Sequence, residues 1–464
     1  MMRKMLSVLA VVVVAVSLLA AQTKKPKPKM TPAAAAGGTA VGAPATFPGG
    51  PSVDAVMLKG LKARSIGPAI MGGRVSEIAL DQKDPATFYV ALGTGGVMKT
   101  SDGGVTFEGI FEEEAVASIG AVAVAPSDPK VVWVGTGEAN DRNSSSWGNG
   151  VYRSTDGGEK WTNVGLKDSK FIARIVVPPT DPNTAWVAAV GDLWNASPER
   201  GLFKTTDGGK TWKAVLVAAA PSGNKVGCGD VMLDPSDPNT LYAALYARQR
   251  TPWAFVSGPA YTDGKDLGGI FKSTDGGATW RKLEKGLPGA TGRIGLAIYA
   301  KNPKIVYAIV QSDEGGTSGI MEIRSKRGGV FRSEDGGESW TRVNAINPRP
   351  FYFSQIRVDP ENDQRVYVLG FAMHVSDDGG KTFREDLFGK VHPDCHAMWI
   401  DPANPRHLLL GTDGGVNQSF DRAGTWGYVD NLAIGEFYNV TTNMREPYYD
   451  VYGGLQDNQT WGGP

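Results

Sequence analysis

Apolar residues in this chain come in short runs with a spacing of two. Ile78/Leu80, Val122/Val124, Ile175/Val177, Leu296/Ile298, Ile356/Val358 and Met398/Ile400 each fall on one side of an extended segment, the period expected of a half-buried β-strand. A Pro-bearing turn and a second apolar strand follow each one. Ile78 to Pro85 precedes Phe88 to Leu92, and Val231 to Pro238 precedes Leu241 to Leu245. The arrangement recurs around Pro129, Pro182, Pro303, Pro360 and Pro405, with a looser eighth copy at Asn443 to Pro447 before Tyr449 to Tyr452.

A polar phrase alternates with the apolar one. It has a Ser or Thr, an Asp two residues on, usually Gly-Gly, and then an aromatic. Four copies are Thr100 to Phe107, Ser154 to Trp161, Thr205 to Trp212 and Ser273 to Trp280. Three more are Ser333 to Trp340, Ser376 to Phe383 and Ser419 to Trp426, the last with Ala423 in place of the second Gly. Asp and Ser/Thr side chains hold tight turns by bonding nearby backbone amides, and Gly supplies the positive φ such turns need. Asp102, Asp156, Asp207, Asp275, Asp335, Asp378 and Asp421 are therefore read as structural. They are spaced 43 to 68 residues apart, a period that signals a repeat architecture.

The two phrases together make units of four antiparallel strands, a to d, with an aromatic motif in each. That is the pattern of a β-propeller blade. The expected fold is an all-β propeller of seven complete Asp-box blades over residues 61–430. The first two strands of a further, truncated blade are expected over residues 431–464, as in a fragment of a longer propeller protein whose remaining C-terminal blades or domain are a partner. A half-built blade would leave an unpaired edge.

Composition adds three points. Sixty-one Gly, 29 Pro and 12 Trp in 464 residues suit many short strands and tight turns. The formal net charge is zero, so nothing points to a nucleic-acid partner. Basic residues Arg3 and Lys4 precede an apolar run from Leu6 to Leu19, which reads as a cleaved secretory signal peptide over residues 1–21. Residues 22–60 are rich in Lys, Pro, Ala and Gly, a disordered tether. The expected localisation is secreted or periplasmic, with no membrane span after signal cleavage. Cys228 and Cys395 sit at one register of strand a in blades four and seven, too far apart for a disulfide, and are expected to be buried thiols.

The Ser-x-Asp-x-Gly-x-Thr-Trp phrase resembles the Asp box, or BNR repeat, of sialidases, sortilin-type receptors and xyloglucanase-like glycoside hydrolases. Ile66 to Arg74, Gly135 to Glu138, Trp147 to Tyr152 and Gly454 to Asn458 resemble large secreted bacterial proteins with sortilin-like or glycosyl-hydrolase-like propellers. The resemblance covers nearly everything after residue 60 and implies a propeller that takes a peptide or a glycan. One departure stands out. Xyloglucanase-like enzymes place an Asp in the first-blade turn where this chain has Thr94-Gly95-Gly96, and the nearest look-alike is Thr412 to Gly415 in blade seven.

Strand direction alternates within a blade, so the Pro and Asp turns share one face. The variable b–c and d–a loops share the other, which is where function is expected. Its candidate ligand-binding residues are Trp147, Asp192, Trp194, Arg248, Trp253, His392 and His396. Aromatic faces stack on ligands while polar neighbours orient them, although each Trp equally suits a pin holding its loop onto the blade. His392, Asp394 and His396 would project to one side of an extended chain, as acid/base groups or as residues packed between blades. No metal is expected there, because a three-residue strand cluster is a weak metal signal, and no cofactor is expected either. Glycoside hydrolysis needs two facing carboxylates, about 5 Å apart for retention or about 6.5–9.5 Å for inversion. Glu138, Asp394 and Asp413 are the catalytic candidates, with Asp192 and Asp457 on the same face. Arg74, Arg174 and Arg293 at strand-a starts suggest no more than a loose parallel to a sialidase arginine triad. The expected function is a peptide- or glycan-binding propeller. The alternatives are a xyloglucanase-like glycoside hydrolase and an envelope assembly scaffold.

Overall fold

The computed structural model describes residues 73–463, apart from 142–144, 219–224, 254, 263, 313–324 and 386–389. The expected signal peptide and the tether lie outside the described residues.

Blade 1 is an antiparallel meander of Val75–Leu80, Phe88–Leu92, Val97–Thr100 and Glu108–Gly109. The same four-strand order recurs over residues 119–165, 172–216, 294–344, 355–385 and 395–428. Blade 4 is elaborated. Its second strand runs on as Asp237–Arg250 and pairs with an added strand, Phe255–Gly258. Arg248 therefore sits in a strand rather than in the open loop expected for it.

The core is divided among the interfaces between blades. Ile119, Val122 and Val132 of blade 2 pack with Tyr89, Ala91 and Val97 of blade 1. The last interface joins the two ends of the series, with Val75, Ile78 and Phe88 of blade 1 against Ala397, Leu409 and Val416 of blade 7. The ring closes at seven blades. The unit after it is a separate sheet of three strands, Phe437–Thr442, Val451–Leu455 and Thr460–Gly463. It has one more strand than expected, because Thr460 to Gly463 pairs back on Val451 to Gly454. Cys228 and Cys395 are buried and unbonded to each other.

Every Asp turn is built alike. In blade 5, Ser333 Oγ donates to Asp335 Oδ1 (2.7 Å) and accepts from the Gly337 amide (2.8 Å). Asp335 then accepts from the Ser339 amide (2.9 Å). The Ser339 hydroxyl also donates to Asp335 Oδ2 (2.5 Å), and that bond first, then the others, holds Asp335 down at about 2. The seventh copy shows that the bonds, rather than glycine, dictate the shape: Arg422 and Ala423 take φ of 61° and 71°, and Ala423 still donates to Ser419 Oγ (3.0 Å). Ser333 is 1% exposed, so Ser333→Ala strands a buried amide. The expected cost is about 1–2 kcal/mol, read as a lower denaturant midpoint. An unchanged midpoint would refute the turn's role.

A cation–aromatic clamp fastens one blade to the next. Tyr89 and Lys99, cross-strand partners, both donate to the Gly157 carbonyl of blade 2's Asp turn (3.1 and 2.8 Å). Tyr242 and Lys272 do the same to Gly336 (2.8 and 2.7 Å). At the closing seam the paired positions are Leu409 and Gln418, and Asn431 Nδ2 reaches the Gly104 carbonyl instead (3.1 Å).

Candidate functional site

The loops of the variable face converge at the seam between blades 7 and 1. Arg74, just before the first strand, is the centre. Its side chain is 1% exposed and meets partners from four distant segments. Nε lies 3.4 Å from Glu138 Oε1, and Nη1 lies 2.9 Å from Asp413 Oδ1. Nη1 also donates to the Tyr352 hydroxyl, and Nη2 to Gln456 Oε1 (2.7 Å). Burial alone would lower the Arg74 pKa, but the Glu138 and Asp413 carboxylates drive it up. A buried charge persists only when paired in this way.

Asp413 is fully buried. Oδ1 meets His396 Nε2 at 2.9 Å, and Oδ2 accepts from Gln456 Nε2 at 3.1 Å. Burial pushes its pKa up, yet His396 and Arg74 hold the carboxyl well below the usual carboxylate range. His396 is clasped by Phe353, stacked at 5.2 Å, and Tyr352, edge-on at 4.9 Å.

Two further carboxylates stand in front of this buried layer. Oxygens of Asp394, Asp413 and Asp457 all lie within 4.8 Å of one another. Asp394 is half-buried and Asp457 exposed. Burial raises Asp394, as does the charge of Asp413. Asp457 keeps an open edge, but its carboxyl is crowded against Asp413. Desolvation, a hydrogen bond to Asp413 and that anion's charge push it up to about 6. One carboxyl held ionised beside another whose pKa is raised is the electrostatic arrangement of an acid/base pair.

The other expected residues are dispersed. Glu138 is 1% exposed and faces Arg74 rather than a cleft. Its loop is a hub: Asn140 Oδ1 accepts from Arg293 (2.7 Å), and Asp141 pairs with Arg248. Arg248 has no exposed side-chain surface and lies 4.8 Å over the Phe171 ring, so it is a structural cation. Asp192 caps its own loop by accepting from the Trp194 and Asn195 amides (2.8 and 3.2 Å). The three tryptophans are not pins. Trp147, Trp194 and Trp253 are 66%, 43% and 95% exposed. They belong to blades 2 to 4, whereas the carboxylates come from blade 7 and the terminal unit. Arg174 lies apart, 3.0 Å from both Glu77 and Asp230, whereas Arg293 donates to the carbonyl of Tyr352 (2.8 Å), the residue whose hydroxyl accepts from Arg74.

The expected row of His392, Asp394 and His396 does not form. Asp394 takes φ 62° and the strand begins only at Cys395, so the three side chains part. His396 turns to Asp413, while the His392 ring lies over Gly414 with Nε2 3.4 Å from the Asp457 carbonyl. Sequence reasoning missed Tyr352 and Gln456. For Gln456 the signal was present in the Gly454 to Asn458 stretch; for Tyr352 there was none.

A family model described as sortilin-Vps10 (sortilin, neurotensin receptor 3) matches residues 149–290. A xyloglucanase of a Paenibacillus species is 26% identical over 272 residues, 58% of this chain and 21% of that protein. A probable oligoxyloglucan-reducing end-specific xyloglucanase of Neosartorya fischeri is 21% identical over 342 residues, 65% of this chain and 38% of the relative. The chain thus spans well under half the length of these curated relatives. Among solved structures, the xyloglucanase of Xanthomonas campestris superposes with a TM-score of 0.60 at 17% identity, over 85% of this chain and 61% of that one. The chain is an Asp-box β-propeller of xyloglucanase-like architecture.

Proposed function

We propose that the chain carries the catalytic face of a glycoside hydrolase, with Asp457 as general acid and Asp394 as its partner carboxylate. The observation that carries this is the Asp394/Asp413/Asp457 constellation, in which Asp457 is pushed up to about 6 beside an ionised, buried Asp413. Asp457 donates its proton to the glycosidic oxygen as the C1–O bond breaks, and the Asp394 carboxylate bonds to C1. Water, deprotonated by Asp457, then releases the sugar and restores Asp394. Asp413 touches no substrate; its charge keeps the proton on Asp457. The carboxyl oxygens lie within 4.8 Å of one another, nearer the about 5–5.5 Å typical of retaining enzymes than the about 6.5–9.5 Å of inverting ones. The names of the xyloglucanase relatives favour a glycan over a peptide. We further place the protein outside the cytoplasm, secreted or periplasmic.

The test is a polysaccharide panel that includes xyloglucan, assayed by reducing-end release and by NMR of the first-formed anomer. Net retention with an Asp394-dependent rate is the expected result. Inversion would remove Asp394 from the role of nucleophile, and silence across the panel would favour the second reading. That reading is a glycan- or peptide-binding propeller, supported by the exposed Trp147, Trp194 and Trp253. It predicts ligand binding that survives Asp394→Asn and Asp457→Asn and falls when these tryptophans are replaced by alanine.

A further inference from the structure

One charged group at this site has no task in the chemistry above. Arg349 lies in the d–a loop that joins blade 5 to blade 6, between Pro348 and Pro350, half-buried, with φ 41°. A positive φ in a non-glycine residue is costly and persists where the surroundings impose it. Here the Arg349 carbonyl accepts from the amides of Tyr352 and Phe353 (2.9 and 3.1 Å), and Ser354 Oγ donates to the Pro350 carbonyl (2.7 Å). The guanidinium carbon lies over the Tyr352 ring, 4.2 Å from its centroid, and 5.5 Å from the Phe351 centroid. Its Nε is buried without a hydrogen-bond partner. Among the described residues the guanidinium makes no ion pair. Asp394 feels its charge without touching it.

A guanidinium fixed by stacking, with its two Nη groups unpaired among the described residues, is a preorganised fork for a pair of acceptor oxygens. A neutral sugar docking beside Asp394 and Asp457 would bury these donors with little to accept from them, which costs affinity. A carboxylate would use the fork in full and offset the two acidic side chains. Resting on the glycoside-hydrolase proposal, we infer that Arg349 is a ligand-binding residue that selects an acidic sugar, one bearing a carboxylate, in the subsite next to Asp394.

The experiment compares a glucuronic-acid-containing oligosaccharide with its neutral glucose isologue. Binding to the Asp457→Asn protein is measured by calorimetry, and cleavage by the unmodified chain is measured alongside. The acidic ligand should bind roughly 10- to 100-fold more tightly. Arg349→Gln should erase that preference, and Arg349→Lys should keep only part of it, since a point charge replaces the fork. Circular dichroism and the melting midpoint confirm that both variants fold. Equal affinity for the two ligands, or a preference that survives Arg349→Gln, overturns the inference. So does Arg349-dependent capture of a free peptide C-terminus in place of the sugar. The two proposals fail separately. Arg349-dependent binding of the acidic sugar without cleavage refutes only hydrolysis, and equal cleavage of both sugars refutes only the role of Arg349.

Discussion

Replacing Arg74 with methionine will destabilise the propeller by about 3–5 kcal/mol, the range seen when one partner of a buried ion pair is removed. The side chain is 1% exposed and lies within 3.4 Å of Glu138 and 2.9 Å of Asp413, themselves 1% and 0% exposed. Methionine fills much the same volume, so packing loss is small and the effect is electrostatic. Two carboxylates would be left without their cation in a site that water does not reach. The loss should appear as a lower urea midpoint, and Glu138→Gln in the same background should recover part of it, because the amide carries no charge to strand. Such non-additivity is expected for groups sharing one network. A midpoint within experimental error of the parent would show that the trio is not held by charge.

The repeat architecture was legible because its determinants are local. A Ser, an Asp and two glycines close a turn whatever lies around them, and the period-2 strands follow from burial on one face. Closure at seven blades was not legible. It depends on the angle between neighbouring blades, and on Leu409 and Asn431 replacing the cation–aromatic clamp at the seam. The same distinction runs through the site. Asp394, Asp413 and Asp457 were found as acidic residues on the variable face, whereas Gln456 was missed although its stretch resembles known proteins. Their assembly required Arg74, 382 residues away from Gln456, and no spacing rule reaches that far. The row of His392, Asp394 and His396 failed for a local reason. Extended-chain parity assumes a negative φ throughout, and Asp394 breaks it. The tryptophans failed as pins because Trp147 and Trp253 stand clear of their loops, which composition cannot reveal.

Replacing Asp457 with asparagine will lower turnover of a natural glycan by about 10²–10⁴-fold, the range for a lost general acid. The carboxyl is pushed up to about 6 by desolvation first, and then by the hydrogen bond to Asp413 and the charge of that anion behind it. The proton-donating form is therefore present below about pH 6 and disappears as pH rises through that value. The unmodified chain should show an alkaline limb near pH 6 in kcat/KM, and the asparagine variant should have none. Neutralising the anion behind it, with Asp413→Asn, should move that limb toward lower pH, since the charge and hydrogen bond that hold the proton are gone. The control is the leaving group. A sugar joined to a strongly acidic phenol departs without protonation, so Asp457→Asn should lose far less activity on such an aryl glycoside than on the natural polymer. Equal losses on both would assign Asp457 to binding or folding. A limb that stays at pH 6 in the variant would assign the titration to another group. The three measurements therefore separate an acid from a neighbour of the acid, the distinction on which the proposed chemistry of this face depends.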